Sequence, residues 1–339
     1  MSNEFMLNLQ KELLNKTYGT PPKNLSESTA NAYIKALVIL NGKKPFKNLT
    51  FLKNREEVMK HITGYADSTQ KTVVATIVSV LSLFKDKPAY KKIYAEYSTM
   101  LDELTKKANA VDTSVKTEPQ AENWIEWKDV EAKHKELQTA VDAFKESKTV
   151  AESDYNTLLK YVILSLYTFI QPRRNQDYMD MYVVRAVKAT KPTELPKDKN
   201  YVILRGGVPV EFVFNKYKTS KKYGQIVLPI PDTEEKPLGK ILANYIKFNP
   251  KGKENGKLAK EFPFLVSYDG AMLTPPNAIT RILNRIFGKK IGSSMLRHIY
   301  LSSKYNIGDM TTDAEAMGHS LNEQRQYMKK EDVPPVSQT

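Results

Sequence analysis

The sequence predicts an α+β protein that is mainly helical, with an all-helical N-terminal domain and a second, mixed domain that contains a small antiparallel sheet. Apolar residues recur with the helical period in several stretches, and a polar segment without periodicity interrupts the chain at 110–123. Two adjacent glycines, Gly206 and Gly207, separate two β-branched runs, which is typical of a β-hairpin. The length of 339 residues suits two or three domains, because a single core rarely grows past ~250–300 residues.

Residues 1–109 are predicted to form the helical N-terminal domain. The stretch 24–42 opens with Ser and Thr cap candidates and closes at Gly42. A second helix is predicted at 67–84 and a third from Ala89 to about Lys107. The apolar faces of the first two helices consist of Tyr33, Leu37 and Leu40, and of Val73, Val74, Ile77, Leu81 and Phe84.

The polar segment 110–123 is predicted to be a linker, residues 124–330 the second domain, and 331–339 a C-terminal tail. The second domain is expected to begin with helices and to continue with strands around the Gly206–Gly207 turn. Its predicted helices are 124–147, 153–171 and 277–287, and its predicted strands are 201–204, 208–214 and 224–230.

The charge balance favours a polyanionic partner. The formal net charge is +14, and the basic excess is shared by both halves of the chain, which suits nucleic acid. The chain has no cysteine, which excludes disulfides, thiolate nucleophiles and cysteine-based zinc sites. No signal-peptide pattern and no run of 18 apolar residues is present, so we expect a soluble intracellular protein of the cytoplasm, nucleus or virion, without membrane partners.

Local capping signals organise the stretch 293–330. Thr312 and Glu315 form a predicted capping box, and Gly318 is a natural stop for the short helix that this box starts. A second predicted capping box, Ser320 with Glu323, starts another helix. His319 is thereby expected in a tight junction between two helices, with Tyr327 about two turns into the second.

The order MLRH (295–298), GHS (318–320) and a tyrosine eight residues beyond the histidine resembles the C-terminal signature of tyrosine recombinases. The separation of twenty-two positions from Arg297 to His319 also suits that family. The resemblance covers about 124–330, whereas residues 1–107 resemble the core-binding domain of the family by architecture and position alone.

Two upstream motifs complete the resemblance. PRRNQDY (172–178) resembles the first arginine motif of the family, with Arg174 as the matching residue because Asp177 then occupies the acidic position three residues on; Arg173 is the alternative. YKTSKKYG (217–224) resembles the hairpin that presents the lysine, with Lys218 as the first choice and Lys221 as the second. Both motifs are also similar to those of recombinases from virophages and large DNA viruses.

The resemblance implies that Tyr327 attacks a DNA phosphodiester and forms a 3′-phosphotyrosyl link, which needs neither a nucleotide nor a metal cofactor. Arg174 and Arg297 would clamp the negative transition state, and His319 would add a hydrogen bond. Lys218 would protonate the leaving 5′-oxygen. The implied partner is double-stranded DNA, bound by a homotetramer.

One position departs from the family. Ser294 stands three residues before Arg297, where the family usually has His, so the group that deprotonates Tyr327 is open between His298, His319 and the phosphate itself. Tyr300 and Tyr305 are rival tyrosines, but both lie too close to Arg297 in sequence. A type IB topoisomerase, which uses the same chemistry as a monomer, and a weakly catalytic DNA-binding protein are the alternative functions.

Overall fold

The computed structural model describes residues 2–19, 22–110, 116–186, 191–304, 313, 316–318 and 323. The chain divides into two compact units, residues 1–112 and 113–339, and the division falls inside the segment that the sequence predicts as a linker. Helices dominate both units and strands form only small sheets, so the α+β, mainly helical class predicted from the sequence is confirmed.

Unit 1 is helical apart from one short ladder. Its described elements are α1 (Ser2–Asn15), β1 (Thr17–Tyr18), β2 (Lys23–Asn24), α2 (Glu27–Leu40), a 3-10 turn (Thr50–Lys53), α3 (Arg55–Lys60), α4 (Asp67–Leu81) and α5 (Pro88–Ala110). The antiparallel pair β1–β2 is the one departure from an all-helical prediction. It spans two residues in each strand and joins α1 to α2.

The predicted apolar faces of unit 1 pack inward. Ser26 caps α2 by accepting a hydrogen bond from the Thr29 backbone N–H at 3.2 Å, so the helix begins three residues after the predicted start. Tyr33 and Val73 are only half-buried, at the margins of the two faces. The remaining predicted face residues are buried in one cluster: Leu37, Leu40, Val74, Ile77, Leu81 and Phe84.

Unit 2 combines helices with a five-stranded sheet. Its described helices are α6 (Glu118–Asn123), α7 (Trp127–Asp142), α8 (Glu152–Thr168), α9 (Asn175–Met179), α10 (Ser220–Tyr223), α11 (Leu238–Phe248), α12 (Ala278–Phe287) and α13 (Ser293–Lys304), with a 3-10 turn at Pro192–Glu194. Its strands are β3 (Met181–Arg185), β4 (Asn200–Arg205), β5 (Val208–Phe214), β6 (Ile226–Pro229), β7 (Lys253–Glu254), β8 (Lys257–Leu258) and β9 (Glu261–Pro263). In the described part of the chain, no helix is both long and apolar enough to cross a membrane.

The sheet runs in the order β6-β5-β4-β3-β9. It is mixed rather than antiparallel as predicted, because β3 and β4 run parallel, with Val183 opposite Val202. The predicted hairpin joins β4 to β5 through Gly206 and Gly207, whose φ angles of 60° and 87° both favour glycine. The lysine-rich segment 217–224, which follows β5, contains a short helix, α10, before the chain enters β6.

The core of unit 2 lies between the sheet and the apolar helix α8. Val183, Val202 and Phe212 of the central strands belong to the same buried cluster as α8, while Ile203 and Val213 form a second cluster on the opposite face of the sheet. Ten residues of α8 are buried, so this helix fixes the position of the chain that follows it. That following chain carries the two adjacent arginines.

The segment predicted as a linker is partly helical. Residues 118–123 form α6, whose capping box pairs Thr117 with Gln120. The Asn123 side chain is buried and accepts a hydrogen bond from the Lys290 backbone N–H at 2.9 Å. Residues from 116 onward therefore belong structurally to unit 2, and the helix predicted from 124 begins at Trp127 instead.

His134 on α7 is a buried titratable group in this core. Its ring packs between the rings of Tyr161 and Phe169, and its Nε2 lies 2.9 Å from the Ser165 Oγ. The Ser165 hydroxyl already donates to the Tyr161 carbonyl, so Nε2–H is the donor toward it. Burial lowers the pKa of His134 to about 4.

We expect unit 2 to lose stability in mild acid because of His134. The pKa is lower in the folded than in the unfolded state, so the unfolded chain binds the proton more tightly. The full contribution is present above the unfolded pKa of about 6.5 and is lost as the pH falls toward 4, by on the order of 3 kcal/mol. Urea unfolding followed by tryptophan fluorescence reports on unit 2, which holds both tryptophans. His134→Phe should flatten this part of the pH profile, and an unchanged profile would exclude His134 as its cause.

Candidate active site

Arg173 and Arg174 lie between α8 and α9 and point in different directions. Arg173 is 1% exposed, and its Nε donates to the Asp177 carboxylate at 2.9 Å. Arg174 is the N-terminal cap residue of α9 and is half-buried. Adjacent residues in extended backbone project their side chains oppositely, which separates a buried arginine from an accessible one.

The accessible arginine has spare hydrogen-bonding capacity. The Nη1 of Arg174 is buried and has no hydrogen-bond partner among the described residues. Buried donors are nearly always paired, so an unpaired guanidinium nitrogen on a half-buried side chain is a candidate donor to an anionic ligand. Arg173 also has an unpaired nitrogen, Nη2, but its Nε and Nη1 already donate to Asp177 and to the Ala316 carbonyl, so Arg174 is the better candidate for binding a phosphate.

Three arginines act on the charge of the Asp177 carboxylate, and one of them, Arg173, contacts it. Burial raises the pKa of the Asp177 carboxyl, and Arg173, Arg174 and Arg297 each lie close enough to oppose that rise. Arg174 and Arg297 are far apart in sequence, and the fold brings both within electrostatic range of the same carboxylate. Arg297 is itself 3% exposed and lies on the inner face of α13.

The first turn of α13 presents the residues around Arg297. Ser294 is exposed and His298 is half-buried. An exposed hydroxyl at position 294 can donate to a bound phosphate, but its oxygen is a poor base near neutral pH. Ser294 therefore presents a hydroxyl, and not an imidazole, on the accessible surface of the helix.

Asn200 connects α9, which follows the two adjacent arginines, to the chain between β5 and β6 that carries Lys218 and Lys221, here called the lysine turn (215–224). The sequence motifs did not identify Asn200. Its buried side-chain amide donates to the backbone carbonyls of Asp177 and Lys216, each at 2.9 Å. Its Oδ1 accepts from the Asn215 and Lys216 N–H groups, each at 2.8 Å. Four hydrogen bonds from one side chain thereby hold the start of the lysine turn against α9. The surrounding letters DKNY carry no motif that would have revealed this.

Lys218 and Lys221 are both exposed, Lys218 just before α10 and Lys221 within it. Neither forms an ion pair within the part of the chain that the structure describes. Thr219, between them, donates its hydroxyl to the Gly318 carbonyl. The lysine turn therefore contacts the residue that directly precedes His319 in the chain.

The C-terminal segment is described only at residues 313, 316–318 and 323. His319 and Tyr327, the predicted histidine and nucleophile, lie outside the described residues, as do Thr312, Glu315 and Ser320 of the predicted capping boxes and the tail 331–339. Residues 316 and 317 are helical and Gly318 has φ +67°, as expected of a glycine that ends a helix.

Gly318 is closely packed, and we expect Gly318→Ala to be more damaging than a comparable change elsewhere. An L-residue at this φ is strained by about 1–2 kcal/mol, and a Cβ would lie 2.9 Å from the Tyr217 Cε2. Gly288 is the matched control, because its φ is +64° and a Cβ there would meet nothing within 4 Å. Urea unfolding should show an additional loss of about 1–3 kcal/mol for Gly318→Ala, the usual range for overpacking. Equal losses for the two variants would mean that Tyr217 moves aside.

No group of three or more His, Asp or Glu side chains that could hold a metal ion occurs among the described residues. Comparison with known proteins gave no match: no family model, no curated protein and no solved structure matches the chain.

Proposed function

We propose that the chain is a site-specific DNA recombinase of the tyrosine type, which cuts and rejoins DNA strands through a 3′-phosphotyrosyl intermediate at Tyr327. The observation that carries the proposal is that Asp177, which accepts a hydrogen bond from Arg173, lies within electrostatic range of both Arg174 and Arg297, which come from distant motifs. Two arginines in one region of the fold are the components of the clamp that a phosphoryl transition state requires.

In the proposed reaction, the Tyr327 oxygen attacks the phosphorus and the bond to the 5′-oxygen breaks. Arg174 and Arg297 stabilise the negative charge that gathers on the non-bridging oxygens, and a guanidinium remains charged throughout. The unpaired Nη1 of Arg174 is the proposed donor to one of these oxygens.

Proton transfers complete each strand exchange. The leaving 5′-oxygen takes a proton from Lys218, whose exposure and position in the turn allow it to approach DNA. His319 adds a hydrogen bond to the phosphate. Because Ser294 is a poor base, the Tyr327 proton passes to His298, to His319 or to the phosphate.

The proposed partner is double-stranded DNA, held by both units and cleaved within a homotetramer. The basic excess in both halves of the chain supports electrostatic binding, with an affinity that falls steeply as salt rises. No nucleotide or metal is needed, because the phosphotyrosyl link preserves the energy of the broken bond.

Covalent trapping tests the proposal. Duplexes of random sequence, each with a nick near its centre, lose the short 5′-hydroxyl fragment after attack and leave the protein attached to DNA. The expected result is a shifted band that survives denaturation and disappears after protease treatment, and sequencing the trapped DNA gives the target. A protein that binds these duplexes but forms no adduct would instead be the weakly catalytic DNA-binding alternative.

The topoisomerase alternative makes the same adduct and needs a separate test. A type IB topoisomerase relaxes supercoiled DNA as a monomer, without joining two sites. We expect relaxation to be weak at concentrations where the chain is monomeric, and strand exchange between two trapped target sites to require assembly. Efficient relaxation by the monomer without strand exchange would favour the topoisomerase.

A further inference from the structure

Arg173 joins the body of unit 2 to the C-terminal segment. Its Nε donates to Asp177 at 2.9 Å, and its Nη1 donates to the Ala316 carbonyl at 2.7 Å. The guanidinium carbon lies 3.8 Å from the centroid of the Phe214 ring. Arg173 is 1% exposed, and because its Nε and Nη1 are already used by acceptors within the protein, these two donors do not serve a DNA phosphate.

Burial of the Arg173 guanidinium in the core of unit 2 carries a large desolvation cost. Removing a charge from water costs several kcal/mol, and apolar side chains often replace buried ion pairs without loss of stability. What an apolar side chain cannot do is hold a carboxylate and a backbone carbonyl at once. The planar fork of arginine carries separate donors for the two acceptors, which suggests a role in placement rather than in stability.

Two neighbouring contacts bind the same segment. Gln171 donates to the Asp313 carboxylate at 3.1 Å, and the Thr219 hydroxyl donates to the Gly318 carbonyl. Arg173 lies between these contacts, and the residue after it is Arg174. The segment from 313 to 318 is thus tied to the chain that carries the phosphate-facing arginine and to the turn that carries Lys218.

We infer that Arg173 is a positioning residue for strand cleavage: it docks Ala316 on the body of unit 2, three residues before His319 in the chain that also carries Tyr327. The inference rests on the proposed function. Arg173 itself touches no reacting atom, so its removal should slow the chemical step without weakening DNA binding. Misplacing a reacting group by about 1 Å is enough to lower a rate by about 10²-fold.

Arg173→Lys is the sharpest test of the docking itself. Lysine keeps a positive charge beside Asp177, but its donors share one nitrogen and do not span Asp177 and the Ala316 carbonyl together. Hydrogen exchange in the absence of DNA should rise about tenfold in peptides covering 313–330, as expected for one lost tether, while the peptides of β4 and β5 keep their protection. Exchange that is unchanged in 313–330 would overturn the inference.

General destabilisation requires a control. Leu242→Ala opens a cavity on the buried face of α11, a helix that packs against α8 and β5. It should lower the unfolding midpoint without a selective rise of exchange in 313–330, and an equal rise there would show that Arg173 has no special role. If Arg173→Lys does not fold, Arg173→Met combined with Asp177→Asn removes both buried charges, and the same exchange pattern is expected.

The activity measurement separates this inference from the proposed function. On a trapped target site, Arg173→Lys should bind DNA within about twofold of the unaltered protein and form adduct about 10²-fold more slowly. A variant that cleaves at the normal rate overturns the positioning role. An unaltered protein that forms no adduct on any DNA refutes the proposed function, whereas the exchange experiment still decides whether Arg173 docks the segment.

Discussion

Tyr327→Phe is expected to abolish the covalent protein–DNA adduct while leaving DNA binding unchanged. The substitution removes one oxygen, the atom that would attack phosphorus, and leaves the ring in place. Without a nucleophile no phosphotyrosyl link forms, so the loss should be complete rather than partial. The measurement is the fraction of protein that remains attached to a nicked duplex after denaturation, with binding followed by fluorescence anisotropy.

Tyr300→Phe is the matched control for that experiment. Tyr300 lies on α13, three residues beyond Arg297, and its ring packs against Trp127 with centroids 5.2 Å apart. Loss of its hydroxyl should leave adduct formation intact because this side chain is buried in the core. An adduct that persists in Tyr327→Phe and is lost in Tyr300→Phe would move the nucleophile to α13.

Arg174→Ala should lower the rate of adduct formation by about 10²–10³-fold, the usual effect of losing one donor to a developing oxyanion. The same change should leave the stability of unit 2 nearly unaltered, because the Nη1 of Arg174 has no hydrogen-bond partner to lose among the described residues. Single-turnover cleavage measures the expected loss of rate, and urea unfolding measures the expected absence of a change in stability. Arg281→Ala, which removes an exposed arginine of α12, is the control for a general loss of positive charge.

The stability of the protein should respond differently to Arg173→Ala than to Arg174→Ala. Arg173→Ala leaves Asp177 buried without its ion-pair partner, a change that typically costs about 3–5 kcal/mol of stability. Activity alone therefore does not distinguish the two arginines, whereas activity and unfolding measured together do. A stable Arg173→Ala protein with a severe cleavage defect, beside a fully active Arg174→Ala protein, would reverse the assignment.

The amphipathic helices and the glycine turn could be predicted from the sequence, because the local pattern of residues determines both. The faces of α2 and α4 follow the helical period, and Gly206 with Gly207 marks the β4–β5 turn where both φ angles are positive. By contrast, β3 pairs with a parallel strand that follows it in the chain and with β9, which has three residues. Strands whose partners are distant, and strands this short, have little periodic signal of their own.

Only part of the candidate site could be predicted from the sequence. The motifs identified both arginines as candidates, but which of Arg173 and Arg174 turns inward depends on the acceptors that the fold supplies, Asp177 and the Ala316 carbonyl. The Asn200 side chain forms four hydrogen bonds with backbone atoms. A sequence does not show which backbone groups the fold will place beside a side chain, so this role could not be predicted. The places of His319 and Tyr327 remain predictions from motif spacing.

The edges of the sheet in unit 2 limit how copies of the chain can associate. An exposed edge strand offers unpaired backbone groups to another molecule, and long, regular edges invite strand addition. Here one edge strand, β6, has four residues and ends at Pro229, and the other, β9, has three and ends at Pro263. Proline has no N–H to donate, so both edges are poor templates for a foreign strand. If copies assemble on DNA as the proposed function requires, they would have to recognise one another through side-chain surfaces and not by adding strands to each other's sheets.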